Sequence, residues 1–172
     1  MGKAYLSLGS NVRPEANLAS ALRALHERFG ALLISPIYRT TAIGFDGPDF
    51  LNAAAILDSD LDVYALNDWL HALEDAHGRD RSGPRFGDRP LDIDIVFYDD
   101  LVTAGPGNPG SGPGQVLRLP RPELKHAFVL KPLAEIAPGF VDPVSGKTLA
   151  ELWAQSPERG LPLTAVELPS GA

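Results

Sequence analysis

Residues 91–98, which read LDIDIVFY, restrict the fold of this chain more than any other stretch. Every second residue is apolar, and these residues are Leu91, Ile93, Ile95 and Phe97. A period of two predicts a half-buried β-strand with this apolar face on a core. The opposite face begins with Asp92 and Asp94, roughly 6.6–6.8 Å apart along the strand. Because neighbouring carboxylates repel each other, the pair favours a cation beside it.

Four arginines precede this strand in a chain whose net charge is −7. They are Arg79, Arg81, Arg85 and Arg89. Guanidinium groups bind phosphate oxygens through paired hydrogen bonds, and Mg²⁺ is often held by one or two carboxylates plus substrate phosphates. The loop and strand together therefore predict a Mg²⁺–nucleotide site. The alternative is ordinary surface charge, with solvated aspartates and with arginines paired to nearby acids.

Composition excludes several classes of protein. The chain of 172 residues has no cysteine, which rules out disulfides, thiolate metal sites and cysteine nucleophiles. Its acidic balance argues against a nucleic-acid partner. We find neither a signal peptide nor an apolar run of ~18 residues, so we expect a cytoplasmic protein without a membrane partner. We also expect one domain over residues 1–172 and a monomer.

The order of periodic segments predicts the fold class. Strands are expected at 3–11, 31–40, 50–60 and 91–98, with helices at 13–30 and 62–78. Pro36 indicates an edge or bulge in the second strand, and the three alanines of the third would equally suit a helix. The order β-α-β-β-α-β is typical of an α+β ferredoxin-like fold, an antiparallel sheet with helices on one face.

The remaining segments form a C-terminal extension. Residues 104–114 are rich in Gly and Pro and predict a surface loop, with an active-site lid as the alternative. An apolar helix within 119–138 and a short helix around TLAELWAQ follow.

Three side chains are candidates for binding a flat heterocycle. Asn52 lies in an apolar run, where a buried amide needs partners and offers both donors and acceptors. Phe50 and Phe128 would stack on a ring, although a single aromatic in an apolar segment more often belongs to the core. No histidine spacing indicates a zinc site.

Five segments match one family in order and spacing. They are AYLSLGSN, YRTTAIG, DFLNAA, GRDRSGPRFGDRPLDIDIVFY and AFVLKPLAEIAP. Along nearly its whole length the chain resembles the 6-hydroxymethyl-7,8-dihydropterin pyrophosphokinase family. The resemblance implies an α+β ferredoxin-like fold and a role in folate biosynthesis. It also implies that ATP, as co-substrate, gives its β,γ-pyrophosphoryl unit to the hydroxymethyl oxygen of the pterin and releases AMP.

The resemblance implies a role for each matching position. Asp92 and Asp94 match the ligands of two Mg²⁺ ions, and Asp94, Arg79 and Arg89 are the expected catalytic residues. The residues expected to contact the nucleotide are Glu74, Arg79, Arg81, Arg85, Arg89 and Ile95. The residues expected to contact the pterin are Gly9, Thr40, Ile43, Phe50, Asn52 and Phe128.

The chain departs from the family pattern at several positions. These are Thr41, Ser82, Phe86, Asp88, Arg121 and His126. Arg121 stands near an expected histidine and His126 near an expected arginine, so neither residue inherits a family role. Two alternatives stay open: a paralogue that binds pterin or nucleotide without efficient transfer, and a Mg²⁺-dependent nucleotidyl transferase that releases pyrophosphate instead of AMP.

Overall fold

An antiparallel sheet organises the computed structural model, which describes residues 2–40, 49–78, 90–103, 118–161 and 163–166. Its strands are β1 (Gly2–Ser10), β2 (Leu33–Ile34), β3 (Ile37–Thr40), β4 (Phe50–Ser59), β5 (Asp92–Tyr98) and β6 (Thr164–Val166). The strand order is β5-β1-β4-β3-β6, and β2 pairs separately with β4. The ferredoxin-like class predicted from the sequence is confirmed.

Four helices cover the sheet in the described part of the chain. They are α1 (Pro14–Phe29), α2 (Val63–Ala76), α3 (Ala127–Ile136) and α4 (Leu149–Ala154), with a short 3₁₀ helix at Pro122–Lys125. Helix α2 begins where the Asp62 carboxylate accepts a hydrogen bond from the backbone N–H of Ala65, in agreement with the helix predicted to start at residue 62. None of the helices described is long and apolar enough to cross a membrane.

The two faces of the sheet carry separate cores. Helices α1 and α2 pack on one face through Leu18, Leu25, Leu66 and Leu70. Helices α3 and α4 pack on the other, where Leu133 meets strand residues. The β-α-β-β-α-β order predicts helices on one face, and the C-terminal extension supplies the second layer.

Strand β4 shows why both faces can be covered. Ala53, Ala54 and Ala55 are all buried, because the strand lies in the middle of the sheet beneath helices on both sides.

The predicted second strand is divided into β2 and β3 at Pro36, which has no N–H to donate. Ser35 keeps this edge paired, since its Oγ accepts a hydrogen bond of 2.8 Å from the N–H of Ala54.

A β-bulge in β5 overturns one detail of the sequence prediction. Leu6 of β1 pairs with Ile95, but its neighbour Tyr5 pairs with Phe97, so Val96 is the extra residue. The insertion shifts the alternation by one position. Phe97 therefore packs in the core beneath α3 and α4, on the face opposite to Ile95.

The bulge leads to a stability prediction for Phe97. Its ring lies 4.7 Å from that of Phe140 and 5.9 Å from that of Tyr5, centre to centre, and is fully buried. We expect Phe97→Ala to lower the free energy of unfolding by about 3–5 kcal/mol, measured by urea denaturation. The exposed Val102 is the control, and Val102→Ala should change stability by only about 0.5 kcal/mol. A loss of about 1 kcal/mol or less for Phe97→Ala would contradict this packing.

Candidate active site

One lateral row of residues crosses four strands of the sheet. In the antiparallel ladders Tyr38 pairs with Asn52, Asn52 with Gly9, and Gly9 with Asp92. Directly paired residues point to the same face, so these side chains share the face on which α3 lies. Adjacent strands are about 4.8 Å apart, which places the backbones at Asn52 and Asp92 roughly 10 Å apart.

Gly9 lets the amide of Asn52 lie close over β1. A Cβ atom at Gly9 would be 2.8 Å from Asn52 Oδ1 and 3.8 Å from Cδ1 of Phe50. Asn52 is buried, and its Nδ2 donates a hydrogen bond of 2.7 Å to Oγ1 of Thr40. The structure thus brings together four of the residues expected at the pterin.

Asp94 lies two residues after Asp92 on β5, opposite Ser7 of β1. Its side chain forms an ion pair with Arg121, a residue that departs from the family pattern. Arg121 Nη2 is 3.3 Å from Asp94 Oδ1, and Arg121 Nη1 is 3.9 Å from Glu123 Oε2. Arg121 also holds the bulge, since its Nε donates to the carbonyl of Ile95 and its backbone N–H to that of Val96.

The electrostatic environment of Asp94 is unfavourable for its charged form. Burial first, and then the nearby charge of Asp92, raise the pKa of Asp94 to about 7, although Arg121 partly offsets both effects. The charges of Glu74 and Glu123 act in the same direction as Asp92. Among the residues that the structure describes, three other carboxylates and one guanidinium thus act on Asp94, a balance that favours a cation beside it.

Glu74 supports the strand that carries both aspartates. Its side chain is only 2% exposed, and Oε2 accepts a hydrogen bond of 2.7 Å from the N–H of Ile93, which lies between Asp92 and Asp94. Ile95, the other expected nucleotide contact in this region, buries its side chain under α1 and α2. Both residues therefore help to set the position of β5.

The described residues can supply only part of a metal site. No group of three or more histidine, aspartate and glutamate side chains arranged for a metal occurs among them. Asp92 and Asp94 could provide two oxygen ligands, with phosphate and water oxygens completing the shell, an arrangement that suits Mg²⁺.

The start of α3 carries Phe128 and an interaction that the sequence did not reveal. The His126 ring stacks on that of Phe128, with centres 5.4 Å apart. Glu158 binds both Nδ1 of His126 and the backbone N–H of Ala127, each at 3.1 Å. The hydrogen bond from the backbone N–H of Ala127 is the main cause that lowers the pKa of Glu158, and the contact with His126 lowers it further. A single glutamate far along the chain carries no pattern that would have identified it.

Part of the predicted site lies outside the described residues. This applies to Ile43, Arg79, Arg81, Arg85 and Arg89. The departures at Thr41, Ser82, Phe86 and Asp88, and the loop at 104–114, also fall there.

Comparison with known proteins identifies a single family. Residues 5–138 match the model of 7,8-dihydro-6-hydroxymethylpterin-pyrophosphokinase (HPPK). The 2-amino-4-hydroxy-6-hydroxymethyldihydropteridine pyrophosphokinase of Pseudomonas aeruginosa is 35% identical over 169 residues, covering 92% of this chain and 94% of that protein. The protein of the same name from Methylorubrum extorquens is 36% identical over 166 residues, covering 94% of this chain and 98% of that protein.

Solved structures share the fold. A crystal structure of wild-type Plasmodium falciparum HPPK-DHPS superposes with a TM-score of 0.72 over 92% of this chain, at 14% identity. This chain covers 45% of that longer chain. At such low identity the likeness concerns the fold alone.

The contact between Gly9 and Asn52 yields a prediction. We expect Gly9→Ala to displace the Asn52 amide and break its bond to Thr40, which costs about 1–3 kcal/mol of stability in thermal or chemical unfolding. Gly139 is the matched control, because nothing lies within 4 Å of a Cβ built there. Equal stabilities for Gly9→Ala and Gly139→Ala would show that the close approach at Gly9 has no energetic consequence.

Proposed function

The chain belongs to the 7,8-dihydro-6-hydroxymethylpterin-pyrophosphokinase family, and we propose that it transfers pyrophosphate from ATP to 6-hydroxymethyl-7,8-dihydropterin in folate biosynthesis. The pterin hydroxymethyl oxygen forms a bond to the β-phosphorus of ATP. The bond from that phosphorus to the α,β-bridging oxygen breaks, AMP leaves with this oxygen, and the hydroxyl proton is released to solvent. The proposal rests on the family match over residues 5–138. It rests also on bacterial relatives whose alignments cover more than 90% of both chains.

Asp92 and Asp94 are the proposed ligands of two Mg²⁺ ions. The carboxylates that the structure describes around Asp94 support this assignment, as does the supply of oxygen ligands from a strand. When bound, the ions neutralise phosphate charge and lower the pKa of a coordinated hydroxyl group. Glu74 holds the backbone between the two ligands, so their separation does not depend on a flexible loop.

The row of residues across the sheet supports a site with a pterin end at Asn52 and a nucleotide end at Asp92. Asn52, anchored by Thr40, binds the pterin through its amide, and Phe50 and Phe128 flank the ring. Ile43 is a further pterin contact in this proposal, as the family resemblance implies. Gly9 separates this end of the row from Asp92. In this proposal a pterin held at Asn52 directs its hydroxymethyl group toward Asp92, at the other end of the row.

The nucleotide lies at the carboxylate end in this proposal. Arg81 and Arg85 bind phosphate oxygens, while Arg79 and Arg89 also stabilise the charge that develops during transfer. Catalysis then depends on aligning the two substrates and on electrostatic stabilisation. A cytoplasmic location, a monomeric state and a single domain over residues 1–172 stay predictions from the sequence.

The proposal predicts AMP formation that requires both substrates. Purified protein with MgATP should release AMP only when 6-hydroxymethyl-7,8-dihydropterin is present, measured by chromatography of the nucleotides. Release of pyrophosphate in place of AMP would favour a nucleotidyl transferase. ATP and pterin binding without any AMP would favour a binding paralogue.

Asp94→Asn tests the assignment of the metal ligands. We expect the substitution to slow AMP formation by about 10²-fold or more, because one charged oxygen ligand is lost while the side chain keeps its shape. Circular dichroism should show a folded protein. The exposed Asp100, just beyond β5, is the control, and Asp100→Asn should keep the wild-type rate. A fully active Asp94→Asn enzyme would overturn the assignment.

A further inference from the structure

The positively charged guanidinium group of Arg121 contacts Asp94, one of the two proposed metal ligands. Its guanidinium lies 3.3 Å from Asp94 Oδ1, and both side chains are about a quarter exposed (25% and 29%). A divalent cation bound to the same carboxylate would be repelled by a guanidinium at this distance. Arg121 and a metal ion therefore compete for Asp94.

Two of the bonds made by Arg121 do not depend on Asp94. The Nε atom donates to the carbonyl of Ile95 at 3.3 Å, and the backbone N–H donates to that of Val96 at 3.1 Å. These bonds keep the residue at the bulge. The backbone bond is the shortest of these contacts, while the contact of Nη2 with Asp94 is longer than the 2.7–2.9 Å of a strong charge-assisted hydrogen bond, so the guanidinium is held less firmly than the backbone.

An acceptor for the displaced guanidinium is already in place. Glu123 Oε2 is a buried oxygen that makes no hydrogen bond in the described part of the chain, and it lies 3.9 Å from Arg121 Nη1. The Glu123 side chain as a whole is 46% exposed, but this oxygen is shielded from solvent and has no donor among the described residues. A small movement of the guanidinium away from Asp94 and toward Glu123 would satisfy this oxygen.

We propose that Arg121 is a positioning residue that neutralises Asp94 before substrate arrives and transfers to Glu123 when a divalent cation binds. The inference rests on the proposed metal role of Asp94. It makes metal binding in the absence of nucleotide weaker than the carboxylate pair alone would allow. Divalent cations would then bind chiefly together with the phosphates, which supply further ligands.

The test measures Mn²⁺ binding to the protein without ATP or pterin, by electron paramagnetic resonance of the free ion. Arg121→Gln should bind Mn²⁺ more tightly than wild type, by on the order of tenfold, because a repelling charge is removed. Arg121→Lys should stay close to wild type. Lys125→Gln is the matched control, since it removes the same charge from an exposed residue on the adjoining 3₁₀ helix.

A double substitution tests the role of Glu123. Glu123→Gln should weaken Mn²⁺ binding more in the wild-type background than in Arg121→Gln, because the displaced guanidinium then loses its acceptor. Equal effects in both backgrounds would overturn the transfer to Glu123. Equal or weaker Mn²⁺ binding by Arg121→Gln, or no binding by any variant, would overturn the competition at Asp94.

A spectroscopic measurement keeps the proposal testable if Arg121→Gln fails to fold. The Nε–H resonance of Arg121 in ¹⁵N spectra, identified by its loss in Arg121→Lys, should shift when Mg²⁺ is added to the wild-type protein. An unchanged resonance at saturating Mg²⁺ would overturn the proposal. Neither measurement involves AMP formation, so failure of the proposed enzymatic reaction would be seen separately.

Discussion

The antiparallel pairing of β1 with both β4 and β5 is the interaction on which the site depends. It brings the C-terminal end of β1 beside the N-terminal ends of its two neighbours, so that Asn52, Gly9 and Asp92 form one row. A shift of one residue in either ladder would turn Asn52 or Asp92 toward the core beneath α1 and α2. The register therefore fixes both the composition of the row and its orientation toward α3.

The carboxylate end of the site is held together against its own repulsion. Glu74 adds a further negative charge, but it also binds the backbone of β5 from the side of α2. Arg121 contributes the compensating positive charge from the opposite layer, beyond β5 in sequence. Among the described residues the carboxylates at this end outnumber the guanidinium groups, a balance that favours a cation.

The fold was largely predictable because its signals are local. The alternation around Asp92 and Asp94, the Asp62 cap and the helical periodicities each depend on a few neighbouring residues. The bulge at Val96 was not predictable, because the residue types in β5 do not indicate where an extra residue is inserted. It becomes visible only in the pairing with β1, and it moves Phe97 to the opposite face.

The chain's local pattern was enough to select the residue types of the site: paired aspartates on a strand, an amide in an apolar run and arginines in one loop. Tertiary structure decided which of the described residues share a surface, because strand pairing joins positions that are far apart in sequence. It placed Arg121 on Asp94 and Glu158 on His126, contacts that span 27 and 32 residues. Such contacts follow from the packing of α3 and its flanking segments against the sheet, and no periodicity in the sequence encodes them.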